Sequence, residues 1–386
     1  MASRRPRLLV AIDDNVAEWR DALTSSPDRP RLPLPYAFGA ATMKAGFKLS
    51  AIDVGAKGSQ AAGKPSETAP FDTIYPAGEL LGAMRATDFA LLWGRPGLAA
   101  LVKQAFLPRP RWRVLYFSYA WEPRGSSSLR QRARFAIAQR VAYLARGVVV
   151  MTAEQAEAAR ATLPRHVRVI QLQIGIDCDF YAHTGSLSDV AEADRAIVER
   201  ILQSPYVIMP GDELRLNADA LAVVERSGLN LVRISQYGYK NRIANFESEI
   251  KRRNLADHVF ILKRVSYPTL RFLLKRALAY AGLVDATWQP AGWTAACESF
   301  ASGLPVVLYD GLTARELTRL GAGPNILRAV SNRNTNAFAS ELQAIAEASR
   351  KRDLATEART FANTALDLER TGAVFGESLA QVTCAK

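Results

Sequence analysis

The sequence predicts an α/β protein with two parallel sheets, and three observations support this fold class. Short apolar runs rich in Val, Ile, Leu and Tyr recur along the 386 residues, with helical patterns between them. Strands that alternate with helices in this way are typical of parallel sheets, whose strands are buried on both faces. The chain is also too long for one ordinary core and suits two domains of roughly 150 to 200 residues each.

The apolar runs form two sets, and each set predicts one sheet. The first set predicts strands at Arg7–Ile12, Leu49–Val54, Asp88–Trp93, Arg113–Ser118, Gly147–Met151 and Val167–Gln171. The second set predicts strands at Tyr206–Pro210, Leu231–Ser235, His258–Leu262, Ala279–Val284 and Pro305–Leu308. A junction near Ile174–Tyr181 gives domains at 1–175 and 176–365, and we expect segment 366–386 to be a helix that packs back on the N-terminal domain.

The remaining sequence narrows the class of protein. The segment Leu312–Lys386 has a mostly helical pattern without a strand, and Phe338, Leu342 and Ile345 recur in it at helical spacing, which indicates core contacts. No run of 18 apolar residues predicts a membrane-spanning helix, and no cleavage site predicts a secretion signal. The three cysteines lack the spacing of a disulfide framework or a zinc site, so we expect a cytoplasmic protein.

The net charge of +13 is concentrated between Arg109 and Arg146, where nine arginines occur with Glu122 as the only acid. Such a surplus is typical of a solvated basic face, of a surface for an anionic membrane or acceptor, or of nucleic-acid binding. No zinc-finger, aromatic RNA-binding or helix-turn-helix signature accompanies it, and we expect no nucleic-acid partner. An amphipathic pattern in this region leaves two interpretations open: its apolar face binds an anionic membrane, or it is buried in the domain's own core. Its apolar positions are Leu129, Ala133, Ile137, Val141 and Leu144, opposite Arg130, Arg134 and Arg146.

The segment Trp288–Leu308 carries the strongest functional signal. We predict that Thr294 is the N-cap of a short helix that stops at Gly303. The N-terminus of this helix would present free N–H groups and a positive dipole end, which suit a diphosphate. Glu298 lies about one turn into the helix and leans back toward its start, within reach of a ribose or sugar hydroxyl. The alternative is an ordinary loop and helix with a solvent-exposed glutamate.

This segment resembles the Glu-Ala-Met-Ala-Cys-Gly-Thr-Pro-Val-Val signature of a large family of retaining glycosyltransferases, glycosyl transferases group 1. That family contains sucrose synthases and bacterial phosphatidylinositol mannosyltransferases. The likeness covers most of the chain from about Pro35 onward at low identity. Three further segments follow the family's order: the glycine-containing loop and helix at Tyr36–Ser50, the helix at Val148–Ala159, and the linker at Ile170–Asp177.

The resemblance implies the GT-B fold, in which two Rossmann-like domains face a central cleft. The domain at 1–175 would then bind the acceptor and the domain at 176–365 the nucleotide sugar. The implied activity is transfer of a hexose from a nucleoside-diphosphate sugar to a hydroxyl of a polysaccharide, glycolipid or lipid-linked intermediate. The donor is a substrate, so no cofactor is expected. The implied partners are this donor and a glycan or lipid-linked acceptor, with the inner face of an anionic membrane as a further candidate for peripheral attachment.

The resemblance also assigns donor-binding residues. In the family a glycine ends the first strand of the second domain, and a nearby Arg and Lys contact the donor diphosphate. Here Gly211 matches the glycine and Arg215 is the candidate phosphate contact, or alternatively a solvated loop residue. Asp212 stands where the family often has Arg, and no Lys follows in register.

The start of the predicted helix supplies the other donor contacts. We assign Gly292, Trp293 and Thr294 to the diphosphate and Glu298 to the ribose. Positive charge from arginine and the helix dipole can stabilise a leaving diphosphate without a metal. We therefore expect a metal-independent reaction.

Two departures from the family bear on catalysis. Pro290 stands where the family commonly has a second, outer glutamate, although relatives with Ala-Gly before the helix share this loss. The segment Tyr116–Pro123 lacks the histidine that many relatives place near the sugar, so Tyr119 and Glu122 become candidates beside Glu298 on the sugar or acceptor side. Glu122 can equally pair with a neighbouring arginine. Two other functions stay open: a non-catalytic nucleotide-sugar-binding subunit and a nucleotide-sugar epimerase of the same fold.

Overall fold

The fold comes from a computed structural model of the chain, which describes most of its length as two compact units. The described residues are 5–12, 23, 26–53, 71–93, 114–118, 121, 129–212, 215–235, 240–285, 289–351 and 353–384. Unit 1 comprises 1–25, 31–175 and 368–386, and unit 2 comprises 26–30 and 176–367. Each unit contains one parallel sheet.

The sheet of unit 1 has seven described parallel strands in the order β3-β2-β1-β4-β5-β6-β7. The strands are β1 (Arg7–Ile12), β2 (Lys48–Asp53), β3 (Thr73–Pro76), β4 (Phe89–Trp93), β5 (Val114–Phe117), β6 (Gly147–Val150) and β7 (Arg168–Gln171). Their apolar side chains are buried because helices cover such sheets on both faces. Val148 and Leu92, for example, are both 0% exposed.

The described helices of unit 1 are mostly short. They are α1 (Pro33–Tyr36), α2 (Thr42–Lys44), α3 (Leu80–Ala86), α4 (Leu129–Ala142), α5 (Ala153–Thr162) and α15 (Leu368–Cys384), the last helix of the chain. A π-helical turn, Ala37–Ala41, joins α1 to α2. A capping box starts α5, in which Thr152 and Gln155 exchange hydrogen bonds between side chain and backbone.

Helix α15 returns to unit 1 and packs against the segment that holds α1 and α2. Two glycines allow this close approach: a Cβ at Gly372 would lie 2.9 Å from Tyr36 Cε1, and one at Gly376 would lie 2.9 Å from the carbonyl oxygen of Ala41. Between the glycines, the ring of Phe375 lies 5.7 Å from that of Phe38. Residues after 367 therefore form part of the core of unit 1.

The sheet of unit 2 has six described parallel strands in the order β10-β9-β8-β11-β12-β13. The strands are β8 (Tyr206–Pro210), β9 (Asn230–Ser235), β10 (Val259–Lys263), β11 (Tyr280–Gly282), β12 (Val306–Tyr309) and β13 (Leu327–Val330). Counted from β8, this is the 3-2-1-4-5-6 order of a Rossmann fold. The order reverses between β8 and β11, and open α/β sheets bind ligands at the carboxyl ends of the strands at such a switch point.

The helices of unit 2 pack on both faces of this sheet. They are α6 (Cys178–Ala182), α7 (Glu192–Ile201), α8 (Asn217–Ser227), α9 (Lys240–Arg252), α10 (Tyr267–Leu274), α11 (Trp293–Ser302), α12 (Leu312–Arg319), α13 (Thr335–Lys351) and α14 (Leu354–Phe361). The prediction of core contacts in α13 is confirmed, since Phe338, Leu342 and Ile345 are all 0% exposed within the main apolar cluster.

The sequence pattern did not predict two edge strands, β3 and β13. The expectation that Leu312–Lys386 contains no strand is wrong, because β13 lies in that segment. Strand β13 is four residues long and its central Arg328 is partly exposed, so it lacks an apolar run. Strand β3 ends in Pro76, a residue that cannot donate to a sheet and favours edges. Both strands lie at the edge of their sheet, where burial on two faces no longer dictates an apolar sequence.

The basic region is described in part. Leu129 is 85% exposed and Ala133 is also exposed, so these two side chains of α4 do not contribute to a core. The side chains of Ile137, Val141, Arg130 and Arg134 lie outside the described part of the chain. Across the described segments, no helix has both the length and the apolarity needed to cross a membrane.

The Gly303 position offers a test of the packing between α11 and α14. Gly303 has φ +84°, and a Cβ there would lie 3.1 Å from Ala355 Cβ, whereas Gly228 has φ +66° and nothing within 4 Å. Gly228→Ala should therefore lose about 1 kcal/mol through backbone strain alone. We expect Gly303→Ala to lose about 2–3 kcal/mol, because contact is added to strain.

Urea unfolding of the two variants, followed in parallel with the wild type, measures these losses. Both glycines lie in unit 2, so the comparison is made within one compact unit. Equal losses for the two variants would show that α14 does not constrain the end of α11.

Candidate functional site

The candidate site of unit 2 lies at the switch point of its sheet. Strand β8 ends at Pro210 and strand β11 at Gly282, on either side of the point where the strand order reverses. Just beyond these ends, an isolated bridge pairs Arg215 with Val284. The predicted phosphate contact therefore stands at the position where a Rossmann sheet binds ligands.

Helix α11 begins beside these strand ends. Gly292 is its N-cap, in the left-handed region with φ +78°, and the helix runs from Trp293 to the C-cap Gly303. The prediction that Thr294 is the N-cap is wrong: Thr294 is the second helical residue and is exposed, because the left-handed Gly292 turns the chain into the helix first. The N–H groups of this first turn lack partners within the helix, as at any helix start. Trp293 is buried, 3% exposed.

Glu298 is buried inside unit 2, which makes the interpretation as a solvent-exposed glutamate wrong. It is 9% exposed, and its Oε1 accepts a hydrogen bond of 2.7 Å from the hydroxyl of Tyr181 on α6. Burial raises the pKa of Glu298 to about 7, against the opposing effects of the Tyr181 hydrogen bond and of the charge of Arg215. A carboxyl in this state titrates near neutral pH and is sensitive to any charge that arrives beside it.

Arg215 folds back over the end of β8. Its Nε donates to the carbonyl oxygen of Pro210 at 2.9 Å, and its Nη2 donates to the same oxygen. Gly211, with φ +94°, leaves space for the Arg215 guanidinium, because a Cβ at Gly211 would lie 2.5 Å from Arg215 Nη2. The guanidinium also reaches α11, since Nη1 lies 3.6 Å from the position of a Cβ on Gly292. The structure thus brings Gly211, Arg215 and Gly292 together.

Beneath this loop lies a buried ion pair that sequence reasoning missed. Arg233 of β9 is 2% exposed and its Nη2 lies 3.4 Å from Oδ1 of Asp212, while its Nη1 donates to the carbonyl oxygen of Met209. Burial lowers the pKa of Arg233 to about 10, and the nearby charge of Arg215 acts in the same direction. The sequence feature that could have indicated this ion pair is an arginine within the mostly apolar strand Leu231–Ser235.

Two buried tyrosines complete the site, and neither was predicted. Tyr181 holds Glu298, as described above. Tyr280 of β11 is 0% exposed, and its hydroxyl lies 3.0 Å from the position of a Cβ on Gly292. This hydroxyl has no hydrogen-bond partner among the described residues. Burial raises the pKa of Tyr280 above its usual value, which keeps the hydroxyl protonated at neutral pH.

The acceptor-side candidates are the predicted site residues that the structure does not describe. Tyr119 and Glu122 lie outside the described residues. Pro290, at the position of the family's outer glutamate, is buried just before α11. The described side chains include no cluster of three or more His, Cys, Asp or Glu that would hold a metal ion.

Comparison with known proteins identifies the fold. No family model matches the chain. No curated protein matches it either. Solved structures match over nearly the full length. HepE of Anabaena in complex with UDP has a TM-score of 0.68 and 13% identity, covering 97% of this chain and 100% of that one.

The solved structures of two synthases match the chain with similar TM-scores and identities. Sucrose-phosphate synthase from Thermosynechococcus elongatus has a TM-score of 0.70 and 14% identity, covering 99% of this chain and 100% of that one. An α,α-trehalose 6-phosphate synthase from Burkholderia multivorans has a TM-score of 0.68 and 13% identity, with 98% of both chains covered. The chain has the GT-B fold. The predicted fold class, α/β with two Rossmann-like domains, is confirmed by these matches and by the two parallel sheets.

The raised pKa of Glu298 makes a prediction for stability. Between pH 4.5 and about 7 the folded chain retains a proton that the unfolded chain releases, so the free energy of unfolding falls as pH rises through this window. Glu298→Gln cannot ionise and escapes this loss. The stability of the variant relative to the wild type should therefore increase by about 2 kcal/mol from pH 5 to pH 8.

Urea unfolding at the two pH values measures this difference. Glu199→Gln is the control, since Glu199 is exposed on α7 of the same unit. We expect its stability relative to the wild type to be the same at both pH values. A constant difference for Glu298→Gln as well would contradict the assignment of a buried, titrating carboxyl.

Proposed function

We propose that the protein is a glycosyltransferase that moves a hexose from a nucleoside-diphosphate sugar to an acceptor hydroxyl. The observation that carries this proposal is the cationic arrangement at the switch point of unit 2, where Arg215 and the start of α11 meet. Solved structures of the same fold support it, because HepE is described in complex with UDP and with UDP-glucose. We infer that unit 2 binds the donor nucleotide and that unit 1 binds the acceptor.

The diphosphate is the part of the donor that this arrangement suits best. Two guanidiniums, those of Arg215 and Arg233, lie near one another, and Asp212 forms an ion pair with the buried one. Among the described residues, the Arg215 side chain donates to the carbonyl oxygen of Pro210 alone, a weak partner that a phosphate oxygen can replace. The first turn of α11, from Gly292 to Thr294, adds backbone N–H groups without partners inside the helix and the positive dipole end.

These groups would act on the leaving group in the transfer step. When the bond between the sugar and the diphosphate breaks, negative charge grows on the diphosphate oxygens. Fixed positive charge and helix N–H groups stabilise that charge without reorganisation. We infer a metal-independent reaction on this ground, and retention of configuration from the family resemblance.

Glu298 is proposed to hold the ribose. A carboxylate accepts up to four hydrogen bonds, and the Tyr181 hydroxyl provides one of them. Its side chain leans toward the start of α11, as helical side chains do, and so faces the place proposed for the diphosphate. On the acceptor side, Tyr119 and Glu122 remain candidates. The acceptor is proposed to be a glycan, glycolipid or lipid-linked intermediate.

The decisive experiment is turnover with a panel of nucleoside-diphosphate sugars. We expect one donor to release its nucleoside diphosphate fastest. By calorimetry at pH 8, where the Glu298 carboxyl is ionised, Glu298→Ala should bind this donor about tenfold more weakly, because a hydrogen bond to a charged group is lost. Glu199→Ala, exposed on α7, is the control and should bind with wild-type affinity. Full donor affinity in Glu298→Ala would defeat the assignment of the ribose contact.

The same panel separates the alternatives. Donor binding without release of nucleoside diphosphate would identify a non-catalytic sugar-nucleotide-binding protein, which the proline at position 290 favours. Conversion of the donor sugar without transfer would identify an epimerase. Neither result is compatible with the proposed transferase.

We also propose peripheral attachment to an anionic membrane on the cytoplasmic side. The basic region supports it: Leu129 at the start of α4 is 85% exposed, and Arg132 and Arg140 on the same helix are exposed. An exposed apolar side chain among exposed cations is suited to the headgroup region of an anionic bilayer. A lipid-linked acceptor would be presented at that surface.

Sedimentation with liposomes tests the membrane proposal. We expect salt-sensitive binding to anionic liposomes and none to zwitterionic ones, because each Arg near the surface contributes about 1 kcal/mol. The double variant Arg132→Glu, Arg140→Glu should abolish it. The control is Arg226→Glu, Lys251→Glu, which makes the same change of net charge at exposed positions of unit 2. Equal loss in both double variants would mean that net charge, not this helix, drives binding.

A further inference from the structure

An unpaired hydroxyl is buried at the centre of the candidate site. Tyr280 belongs to the short central strand β11, where it pairs with Ile208 of β8 and Val306 of β12. Its ring is fully buried, yet its hydroxyl has no hydrogen-bond partner in the described part of the chain. A buried hydroxyl without a partner is costly, and phenylalanine would fill the same space without that cost. The cost calls for a compensating role.

The hydroxyl is directed at the start of α11. It lies 3.0 Å from the position of a Cβ on Gly292, and the Nη1 of Arg215 lies 3.6 Å from that same position. Any side chain at residue 292 would occupy this space, and glycine leaves it open. The tyrosine hydroxyl, the arginine and the helix N-terminus therefore converge on one point.

The cations of this chain explain why a further donor is needed. Two guanidiniums lie near one another in this cluster, those of Arg215 and Arg233. The second guanidinium present, that of Arg233, is held by Asp212 and by the carbonyl oxygen of Met209. Arg215 is then the one cation of this described cluster that is bound only to a backbone carbonyl.

We propose that the Tyr280 hydroxyl donates a hydrogen bond to a phosphate oxygen of the bound nucleoside diphosphate, once Arg215 leaves the Pro210 carbonyl to bind the same group. The inference rests on the proposed function and identifies Tyr280 as a ligand-binding residue at the same site. In the structure the hydroxyl lies beside Gly292, where an added Cβ would also contact Arg215. A neutral donor in this position adds a hydrogen bond to the diphosphate without adding a further positive charge beside the buried Arg233.

The test compares two buried tyrosines by removing the hydroxyl alone. Tyr280→Phe should bind UDP, GDP or ADP, whichever the wild type prefers, about tenfold more weakly by calorimetry, while the corresponding nucleoside binds unchanged. Its melting temperature should equal or exceed that of the wild type, because an unpaired buried hydroxyl is removed. Tyr206→Phe is the matched control, since the Tyr206 hydroxyl donates to the carbonyl oxygen of Leu273 at 2.7 Å.

The control should show the opposite behaviour. Tyr206→Phe removes a buried hydrogen bond to the Leu273 carbonyl oxygen, which still accepts from the N–H groups of Arg276 and Ala277. Its melting temperature should therefore fall by about 2–4 °C while its affinity for the diphosphate stays at the wild-type value. Arg215→Ala serves as a positive reference and should weaken diphosphate binding at least as much as Tyr280→Phe. Together, the three variants separate loss of stability from loss of a ligand contact.

The outcomes distinguish the inference from the proposed function. If the wild type binds none of the three diphosphates, the proposed function fails, and the inference fails with it. If the wild type binds and Arg215→Ala does not, but Tyr280→Phe binds as tightly as the wild type, the inference alone is overturned. Equal weakening of nucleoside and diphosphate binding in Tyr280→Phe would also overturn it, because the hydroxyl would then act on the shape of the pocket and not on the phosphates.

Discussion

The candidate site depends on how unit 2 buries positive charge under the ends of β8 and β9. A buried guanidinium needs a partner, and Arg233 has one in Asp212, at 3.4 Å. That ion pair lies next to Gly211 and the Pro210 carbonyl oxygen to which Arg215 donates. Because Asp212 is occupied in this way, the charge of Arg215 remains available at the mouth of the sheet. The other acid nearby, Glu298, has its ionisation opposed by burial.

Two glycines leave the space that the polar groups of the site occupy. Gly211 and Gly292 both have positive φ, and at each a side chain would meet a polar group of the site: Arg215 at the first and Tyr280 at the second. The close approach of backbone and guanidinium therefore depends on two missing side chains. Gly292 also explains why α11 starts at Trp293, because its left-handed backbone turns the chain into the helix without a side-chain cap.

The sequence predicted those parts of the fold and the site that depend on periodicity. Buried parallel strands such as Tyr206–Pro210 follow from apolar runs, and the helix that ends at Gly303 follows from its glycine and the strand behind it. The partners of Glu298 could not be predicted, because Tyr181 is 117 positions away and a strand pattern does not say which loop covers which side chain. Tyr280 and Arg233 could not be assigned to the site either, because they lie in strands whose pattern indicated only burial. The edge strands β3 and β13 escaped because exposure removes their apolar pattern.

The path of the chain constrains the order in which the protein can be made. Unit 1 begins before unit 2 and is completed after it, since α15 lies beyond residue 367 yet packs against Tyr36 and Ala41. Domains generally fold as units during synthesis, N-terminal first. Here the ribosome must translate all of unit 2 before unit 1 has its last helix. Until then the surface around Phe38, later covered by Phe375, stays exposed on the nascent chain, where it is open to chaperones and to premature association.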